Sequence, residues 1–238
     1  MRTIIAIGGG QLKFKETLEI DKYIAGLACE RAKGRANALF LPTASSDSLP
    51  YYNSFRKIYT SVYGLKADVG LLIKNKDSID KIKEKIDVAD LIYVGGGDTK
   101  LLLKVFNQTG IIDKIKEAYN SGVIITGVSA GAICWFREFF SDSEILTGST
   151  EYVRMKGLSV LNGFAVPHYN ERQAEFNSIM STSEDITSAY CIENLAALVF
   201  KNEVLLGALN AGGNAYEMTK TRDKGLVKNK IDSINHVN

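Results

Sequence analysis

The sequence predicts an α/β fold, with a mostly parallel β-sheet and helices on both of its faces. Short runs rich in β-branched residues alternate with amphipathic stretches from the amino terminus onward. The run 91–94 is apolar at every position, which is typical of a parallel strand buried on both faces. Most runs end in glycine or a small polar residue, where a strand gives way to a loop.

The elements follow from these patterns in chain order. We expect strands at the β-branched and apolar runs 3–7, 36–41, 66–72, 91–94, 123–126, 165–166, 188–192, 197–200 and 204–206. Between them, apolar residues recur at helical spacing, which predicts helices at 17–32, 51–63, 78–86, 99–106, 111–119 and 171–180. The last short strands lie close together around the turn Gly212-Gly213-Asn214, which indicates a small antiparallel extension near the carboxyl terminus.

Length and composition predict a single domain, residues 1–238. The chain has 238 residues, and no Ser/Gly-rich or single-sign charged segment separates its halves. Its net charge of +2 comes from 29 basic and 27 acidic residues spread along the chain, which leaves no basic surface for nucleic acid. No apolar run reaches the ~18 residues of a membrane span, and no signal peptide is expected. Three cysteines far apart in sequence fit thiols in a reducing cytoplasm. We expect a cytoplasmic monomer or homodimer.

The pentapeptide Gly127-Val128-Ser129-Ala130-Gly131 directly follows an apolar run and precedes a helix-compatible segment. A strand that turns abruptly into a helix lifts the apical serine off the sheet, and the flanking glycines permit the tight turn. The pattern is typical of the nucleophile elbow of a serine hydrolase, with Ser129 as nucleophile. The alternative is an ordinary turn in which Ser129 only caps a helix.

His168 is the candidate base for this nucleophile. The chain has two histidines, and His236 lies in the last few residues, where chains fray. His168 follows the expected strand 165–166, at the sheet edge where the elbow also lies. A third residue must hold the imidazole. Glu193, at the end of the strand 188–192, is favoured, and Asp142, in a polar segment, is its rival.

Two backbone amides are candidates for an oxyanion hole. One belongs to Ala130, directly after the nucleophile, and the other to Gly97 in the glycine-rich segment 94–99. Glycine-rich loops also bind phosphates, but neither this loop nor Gly8-Gly9-Gly10 continues as a dinucleotide fingerprint or a P-loop. We therefore expect no nucleotide, no metal and no other cofactor.

Taken together, these motifs resemble those of the peptidase E family of serine peptidases, which includes aspartyl dipeptidases and, more distantly, cyanophycinases. The resemblance rests on segments 94–99, 127–131, 166–169 and 192–193, in the family's order. It implies a sheet similar to that of the class I glutamine amidotransferases. It also implies that Ser129, His168 and Glu193 form the triad and that the Gly97 and Ala130 amides hold the oxyanion, with Asp142 still open as third member.

The resemblance implies short peptides, dipeptides included, as substrates. Asp98 stands where aspartyl dipeptidases carry Asn, so an acidic substrate side chain would be repelled there. Arg172 is a candidate cation for such a side chain, and Asp98 and Tyr169 are further candidates for substrate contacts. Two alternatives remain open: an amidotransferase-like hydrolase of another amide or ester, and a small-molecule binding module without catalysis on the same fold.

Overall fold

Two β-sheets organise the chain in the computed structural model, which describes residues 1–74, 78–149 and 151–234. The strands are β1 Thr3–Ile7, β2 Asn37–Leu41, β3 Lys66–Val69, β4 Leu91–Val94, β5 Ile124–Val128, β6 Phe136–Ser141, β7 Val153–Lys156, β8 Leu161–Val166, β9 Ser188–Ile192, β10 Ala196–Lys201, β11 Val204–Asn210, β12 Ala215–Thr221 and β13 Gly225–Lys230. The helices are α1 Leu18–Ala32, α2 Leu49–Ser61, α3 Ile79–Asp87, α4 Thr99–Thr109, α5 Ile111–Asn120, α6 Ala130–Ile133 and α7 Tyr169–Thr182.

The first sheet has seven strands in the order β11-β10-β1-β5-β4-β2-β3. Strands β1 to β5 run parallel to one another, and β10 and β11 add an antiparallel edge. Side chains of β1 alternate between two apolar layers: Ile4 packs with helices α3, α4 and α5, whereas Ile5 packs with α1 and α2. The predicted mostly parallel sheet with helices on both faces is therefore confirmed.

Local signals explain where these helices begin. The Ser48 hydroxyl accepts a hydrogen bond from the Tyr51 amide at the start of α2, and Pro50 lies in the first turn, where no backbone donor is needed. The Asp98 carboxylate accepts from the Lys100 amide at the start of α4. Helices α1 to α5 and α7 start and end within a few residues of the predicted bounds. Among the described helices, none combines the length and the apolar character that a bilayer crossing requires.

The second sheet is larger than the antiparallel extension that the sequence predicts. Its six strands run in the order β13-β12-β9-β8-β6-β7, and the pairs β6–β8 and β8–β9 are parallel. Helix α7 covers one face through Phe176 and Met180. The sequence patterns predict no strand at β6, β7, β12 or β13. Strands β7, β12 and β13 carry exposed polar residues, and β6 carries Arg137 and Glu138, so none shows the continuous apolar run of a buried strand.

Aromatic side chains join the two sheets. The Phe200 ring, on β10 of the first sheet, lies 5.6 Å from Phe136 and 5.6 Å from Tyr190, both in the second sheet. The two contacts have the edge-to-face geometry that aromatic pairs prefer. This packing joins β10 of the first sheet to β6 and β9 of the second.

Candidate active site

Ser129 lies at a sharp turn between β5 and α6. Its backbone angles, φ 51° and ψ −115°, are outside the regions that non-glycine residues favour, at a cost of roughly 1–3 kcal/mol. A Cβ atom on Gly127 would overlap the Gly131 carbonyl, and one on Gly131 would overlap the Val94 carbonyl. Both glycines are therefore required by close backbone approach, as the nucleophile-elbow pattern predicts.

The second sheet brings His168 to this serine. His168 follows β8, adopts a left-handed conformation (φ 50°) and occupies the N-cap position of α7 without a side-chain capping bond. Its amide donates to the Gly8 carbonyl oxygen of the first sheet at 3.2 Å. Its Nε2 lies 2.8 Å from Ser129 Oγ. This is the hydrogen-bonding distance expected between a nucleophile and its base.

The other ring nitrogen meets an amide. His168 Nδ1 lies 2.6 Å from Oδ1 of Asn194. A carbonyl oxygen only accepts hydrogen bonds, so Nδ1 carries the ring proton and donates it to Asn194. The lone pair of Nε2 then faces Ser129, whose hydroxyl donates to it. The ring is thus in the tautomer that a general base requires.

The two carboxylates favoured by sequence lie elsewhere. Glu193 accepts from the Asn214 amide at 2.9 Å, and Asp142 accepts from the Arg172 guanidinium at 2.7 Å. Within the described part of the chain, neither is hydrogen bonded to His168. Asn194 lies one position after Glu193, in the turn that follows β9, and this turn presents the Asn194 amide to the ring. In Cys-His-Asn peptidases the third member is also an amide. The sequence analysis considers only carboxylates for this position and therefore misses Asn194.

The surroundings of His168 favour its neutral form. Burial lowers the pKa of the imidazole below its ordinary value, and the nearby Arg172 charge lowers it further. The hydrogen bond to Asn194 and the charges of Glu171 and Asp142 raise the pKa, but they do not outweigh burial. At neutral pH the ring is therefore ready to accept a proton.

The Gly97 and Ala130 amides donate to no acceptor among the residues that the structure describes. The loop that contains Gly97 adjoins the nucleophile, since a Cβ on Gly96 would lie 3.5 Å from the Ser129 Cβ. Two contacts hold this loop: the Gly96 amide donates to Tyr51 Oη at 3.3 Å, and the Asp98 amide donates to the Ala44 carbonyl at 2.8 Å. Since neither amide has an acceptor within the described ranges, both stay candidate donors for an oxyanion.

The amino-terminal glycine run has a structural part in this site that sequence reasoning missed. A Cβ on Gly9 would overlap both Oδ1 of Asn194 and Nδ1 of His168. The Gly9 carbonyl accepts from the Leu195 amide at 2.9 Å, which holds the segment that carries Asn194. The loop therefore makes room for the imidazole and its amide partner.

The remaining candidates have structural partners. The Asp98 carboxylate caps α4, and the buried Tyr169 hydroxyl donates to Asn177 at 3.1 Å. Arg172 is only 4% exposed and forms an ion pair with Asp142. His236 lies outside the described residues. No group of three or more His, Cys, Asp or Glu side chains suited to a metal ion occurs in the described ranges.

Comparison with known proteins gives a consistent result. The family model described as "Peptidase family S51" matches residues 4–206. An uncharacterized peptidase of Bacillus subtilis (strain 168), YgaJ, is 32% identical over 224 residues, which cover 92% of each chain. A crystal structure of a peptidase from an acI-B1 Actinobacterium shares the fold, with a TM-score of 0.69 at 18% identity over 98% of this chain and 95% of that one. A putative peptidase E from Listeria monocytogenes EGD-e shares it with a TM-score of 0.63 at 22% identity, over 88% of this chain and 98% of that one.

Proposed function

Because the chain belongs to peptidase family S51, we propose that it hydrolyses short peptides through an acyl-enzyme formed on Ser129. Membership of the family confirms the resemblance to peptidase E and makes the chain a peptidase, and therefore a hydrolase. The observation that carries the proposed serine mechanism is the 2.8 Å distance between Ser129 Oγ and His168 Nε2, at a strained turn whose glycines admit no side chain.

In the first step, Ser129 Oγ attacks the carbonyl carbon of the scissile bond while its proton passes to His168 Nε2. The carbonyl oxygen becomes negative and accepts from the Gly97 and Ala130 amides. The imidazolium is stabilised through Nδ1 by Asn194 Oδ1, 2.6 Å away. When the C–N bond breaks, Nε2 returns the proton to the departing amine, and the acyl group remains on Ser129.

In the second step, water attacks the acyl carbon and gives its proton to the same Nε2. The tetrahedral oxygen again accepts from the two amides, and its collapse releases the carboxylic acid and restores the Ser129 hydroxyl. Each step moves one proton through His168, so the sequence of steps needs only the nucleophile, the base, its amide partner and the two donors.

We propose that the substrates are short peptides, dipeptides included, without a strict requirement for an acidic residue at the scissile bond. Asp98 would repel an acidic side chain near the oxyanion loop. The Arg172 guanidinium already forms an ion pair with the Asp142 carboxylate at 2.7 Å, so it attracts a second anion less strongly.

The test is turnover of a dipeptide library by the wild-type chain and by Ser129→Ala, with products identified by mass spectrometry. Loss of the nucleophile should lower kcat by about 10⁴-fold or more, with the melting temperature retained. Ser178→Ala, at an exposed position on α7, is the matched control and should keep wild-type activity. A fluorophosphonate should label Ser129. Equal peptide turnover by Ser129→Ala would contradict the proposal, and absent labelling together with absent turnover would favour a binding module.

We further propose that the protein acts in the reducing cytoplasm. Cys29, Cys134 and Cys191 are all free thiols, which suits a compartment in which glutathione keeps thiols reduced. Burial raises the pKa of the Cys134 and Cys191 thiols above their ordinary value, so neither is a reactive thiolate.

A further inference from the structure

We propose that Glu171 is a positioning residue for the base: through the side-chain amide of Asn194, it determines which ring nitrogen of His168 faces Ser129. This inference rests on the proposed function, since it assigns His168 as the base. It adds a fourth member to the arrangement, a carboxylate that is separated from the imidazole by one neutral side chain.

The contacts form a continuous chain from the nucleophile to Glu171. Ser129 Oγ lies 2.8 Å from His168 Nε2, and His168 Nδ1 lies 2.6 Å from Asn194 Oδ1. On the other side of the amide, Asn194 Nδ2 donates to Glu171 Oε1 at 2.5 Å. The Asn194 backbone amide donates to Asn170 Oδ1 at 2.9 Å, so the residue is held at its backbone and at both ends of its side chain.

The role of Glu171 follows from what each group can donate or accept. An asparagine amide fits the same space in two orientations, with its oxygen and nitrogen exchanged. An ionised carboxylate only accepts hydrogen bonds, so Glu171 selects the orientation in which the amino group of Asn194 faces it. The oxygen of Asn194 must then face His168.

The orientation of this amide decides whether His168 can act as a base. With Oδ1 toward the ring, Nδ1 carries the proton and Nε2 accepts the Ser129 hydroxyl proton. With the amide reversed, its amino group would donate to Nδ1, and the ring proton would move to Nε2. A protonated Nε2 has no lone pair for the nucleophile. A group that fixes the amide therefore also fixes the competent tautomer.

The start of α7 places these groups together. His168 precedes the helix, and Asn170 and Glu171 lie in its first turn. The Glu171 amide donates to the His168 carbonyl at 2.8 Å, which ties the backbones of the two residues together. A carboxylate in the first turn of a helix is also favoured by the helix dipole. The tetrapeptide 168–171 thus supplies the base and two of the groups that hold Asn194.

The charges around the imidazole come from three residues. Glu171 and Asp142 raise the pKa of His168, whereas burial and Arg172 lower it. Removal of the Glu171 charge should therefore move the acid limb of the pH profile to lower pH, because the imidazolium loses a stabilising anion. The shift should be small, since Glu171 is exposed to solvent.

A double-mutant cycle tests the inference. Glu171→Gln offers Asn194 either an oxygen or an amino group, so both amide orientations become possible, and kcat/KM should fall about 10-fold or more, as for other groups that orient a functional histidine. Asn194→Asp alone places two carboxylates in contact, so they repel or share a proton, and kcat/KM should also fall. In Asn194→Asp/Glu171→Gln, the glutamine donates to the new aspartate, and activity should return toward the wild-type level.

The distinguishing result is that the effect of Glu171→Gln on kcat/KM changes sign between the two backgrounds. Glu171→Gln should be harmful in the wild-type background and beneficial in the Asn194→Asp background, which a purely structural role for Glu171 does not produce. Glu175→Gln, also on α7 and exposed, is the matched control and should leave kcat/KM unchanged in both backgrounds. If Glu171→Gln has the same effect in both backgrounds, the inference is wrong.

Nuclear magnetic resonance gives a readout that does not depend on peptide turnover. The chain has two histidines, so His236→Gln leaves His168 as the sole imidazole. Its ring ¹⁵N shifts should show the proton on Nδ1, and Glu171→Met, which removes the acceptor, should add signal for the proton on Nε2. A wild-type ring protonated on Nε2, or an unchanged ratio in Glu171→Met, would overturn the inference even if Ser129→Ala abolishes activity.

Discussion

At the scale of the residue, the neutral side chain of Asn194 has a consequence for the pKa of His168, the proposed base. A carboxylate in contact with His168 would stabilise the imidazolium strongly, whereas an amide oxygen contributes only a dipole. The largest influence on the pKa of His168 is therefore burial, which lowers it. A full negative charge, on Glu171, acts on the ring across the Asn194 amide.

The pH dependence of kcat/KM follows from this balance. A lowered pKa means that the ring loses its proton at a lower pH than a free histidine does, and only the neutral ring accepts the Ser129 proton. Activity should therefore rise with pH through a midpoint below the ordinary value of 6.5 and then stay level through neutral pH. Initial rates at low substrate concentration, which report the free enzyme, measure this midpoint. A midpoint above 6.5 would show that a nearby anion outweighs burial.

The sequence predicts those parts of the site that depend on contacts between residues close together in the chain. The elbow around Ser129 is local, because its two glycines are required by contacts within the turn and with the adjacent strand β4. The choice among Asn194, Glu193 and Asp142 is not local. It depends on how the turn after β9 folds against the ring, and that turn presents Asn194 to His168. Glu193 is one position away from the residue that contacts the ring, and its own carboxylate holds Asn214 instead.

At the scale of the element, the glycine loop after β1 supports the site without contributing a reacting group. Its glycines resemble the beginning of a phosphate loop in sequence, but the structure relates them to the packing of His168 and Asn194. The glycine at position 9 is needed because a side chain would overlap its neighbours. The glycine run by itself does not show which neighbouring residues would be overlapped.

Gly9→Ala should therefore damage the site more than the fold. The added methyl group would overlap Asn194 Oδ1 and His168 Nδ1, and a displacement of about 1 Å in such groups costs about 10²-fold in rate. We expect kcat/KM to fall by about that factor while the far-ultraviolet circular dichroism spectrum is retained.

Gly26→Ala is the control for this prediction. Gly26 lies inside α1 with no atom within 4 Å of the new methyl group, so alanine should raise the free energy of unfolding by about 0.5–1 kcal/mol and leave the rate unchanged. Wild-type kcat/KM in Gly9→Ala would show that the space beside the imidazole is not needed.

At the scale of the whole molecule, the proposed chemistry depends on the contact between the two sheets. Ser129 follows the central strand β5 of the first sheet, whereas His168 follows β8 of the second. The parallel part of the first sheet could be predicted because its inner strands β1, β2, β4 and β5 carry nearly continuous apolar runs. The second sheet could not be predicted in full, because β6, β7, β12 and β13 carry charged or exposed polar residues that interrupt the apolar pattern of a buried strand.

Phe200→Ala should weaken this contact. The ring is 1% exposed and lies between Phe136 and Tyr190 of the second sheet, so its loss leaves a cavity and should lower the free energy of unfolding by about 3–5 kcal/mol. Urea denaturation measures the change, and Phe14→Ala, at a position 61% exposed, should change it by less than about 0.5 kcal/mol. Equal urea midpoints for wild type and Phe200→Ala would mean that the sheets are held together by other contacts.

The pairing of β10 with β1 has a consequence for synthesis on the ribosome. Strand β1 cannot form its hydrogen bonds to β10 until residues 197–201 have emerged from the ribosome. Asn194, which contacts His168, lies just before this segment and also emerges late. A nascent chain that ends soon after the elbow carries Ser129 but lacks its base and the base's partner. Hydrolytic competence should therefore arise only after nearly the whole polypeptide has been made, so that unfinished copies are harmless to neighbouring peptides.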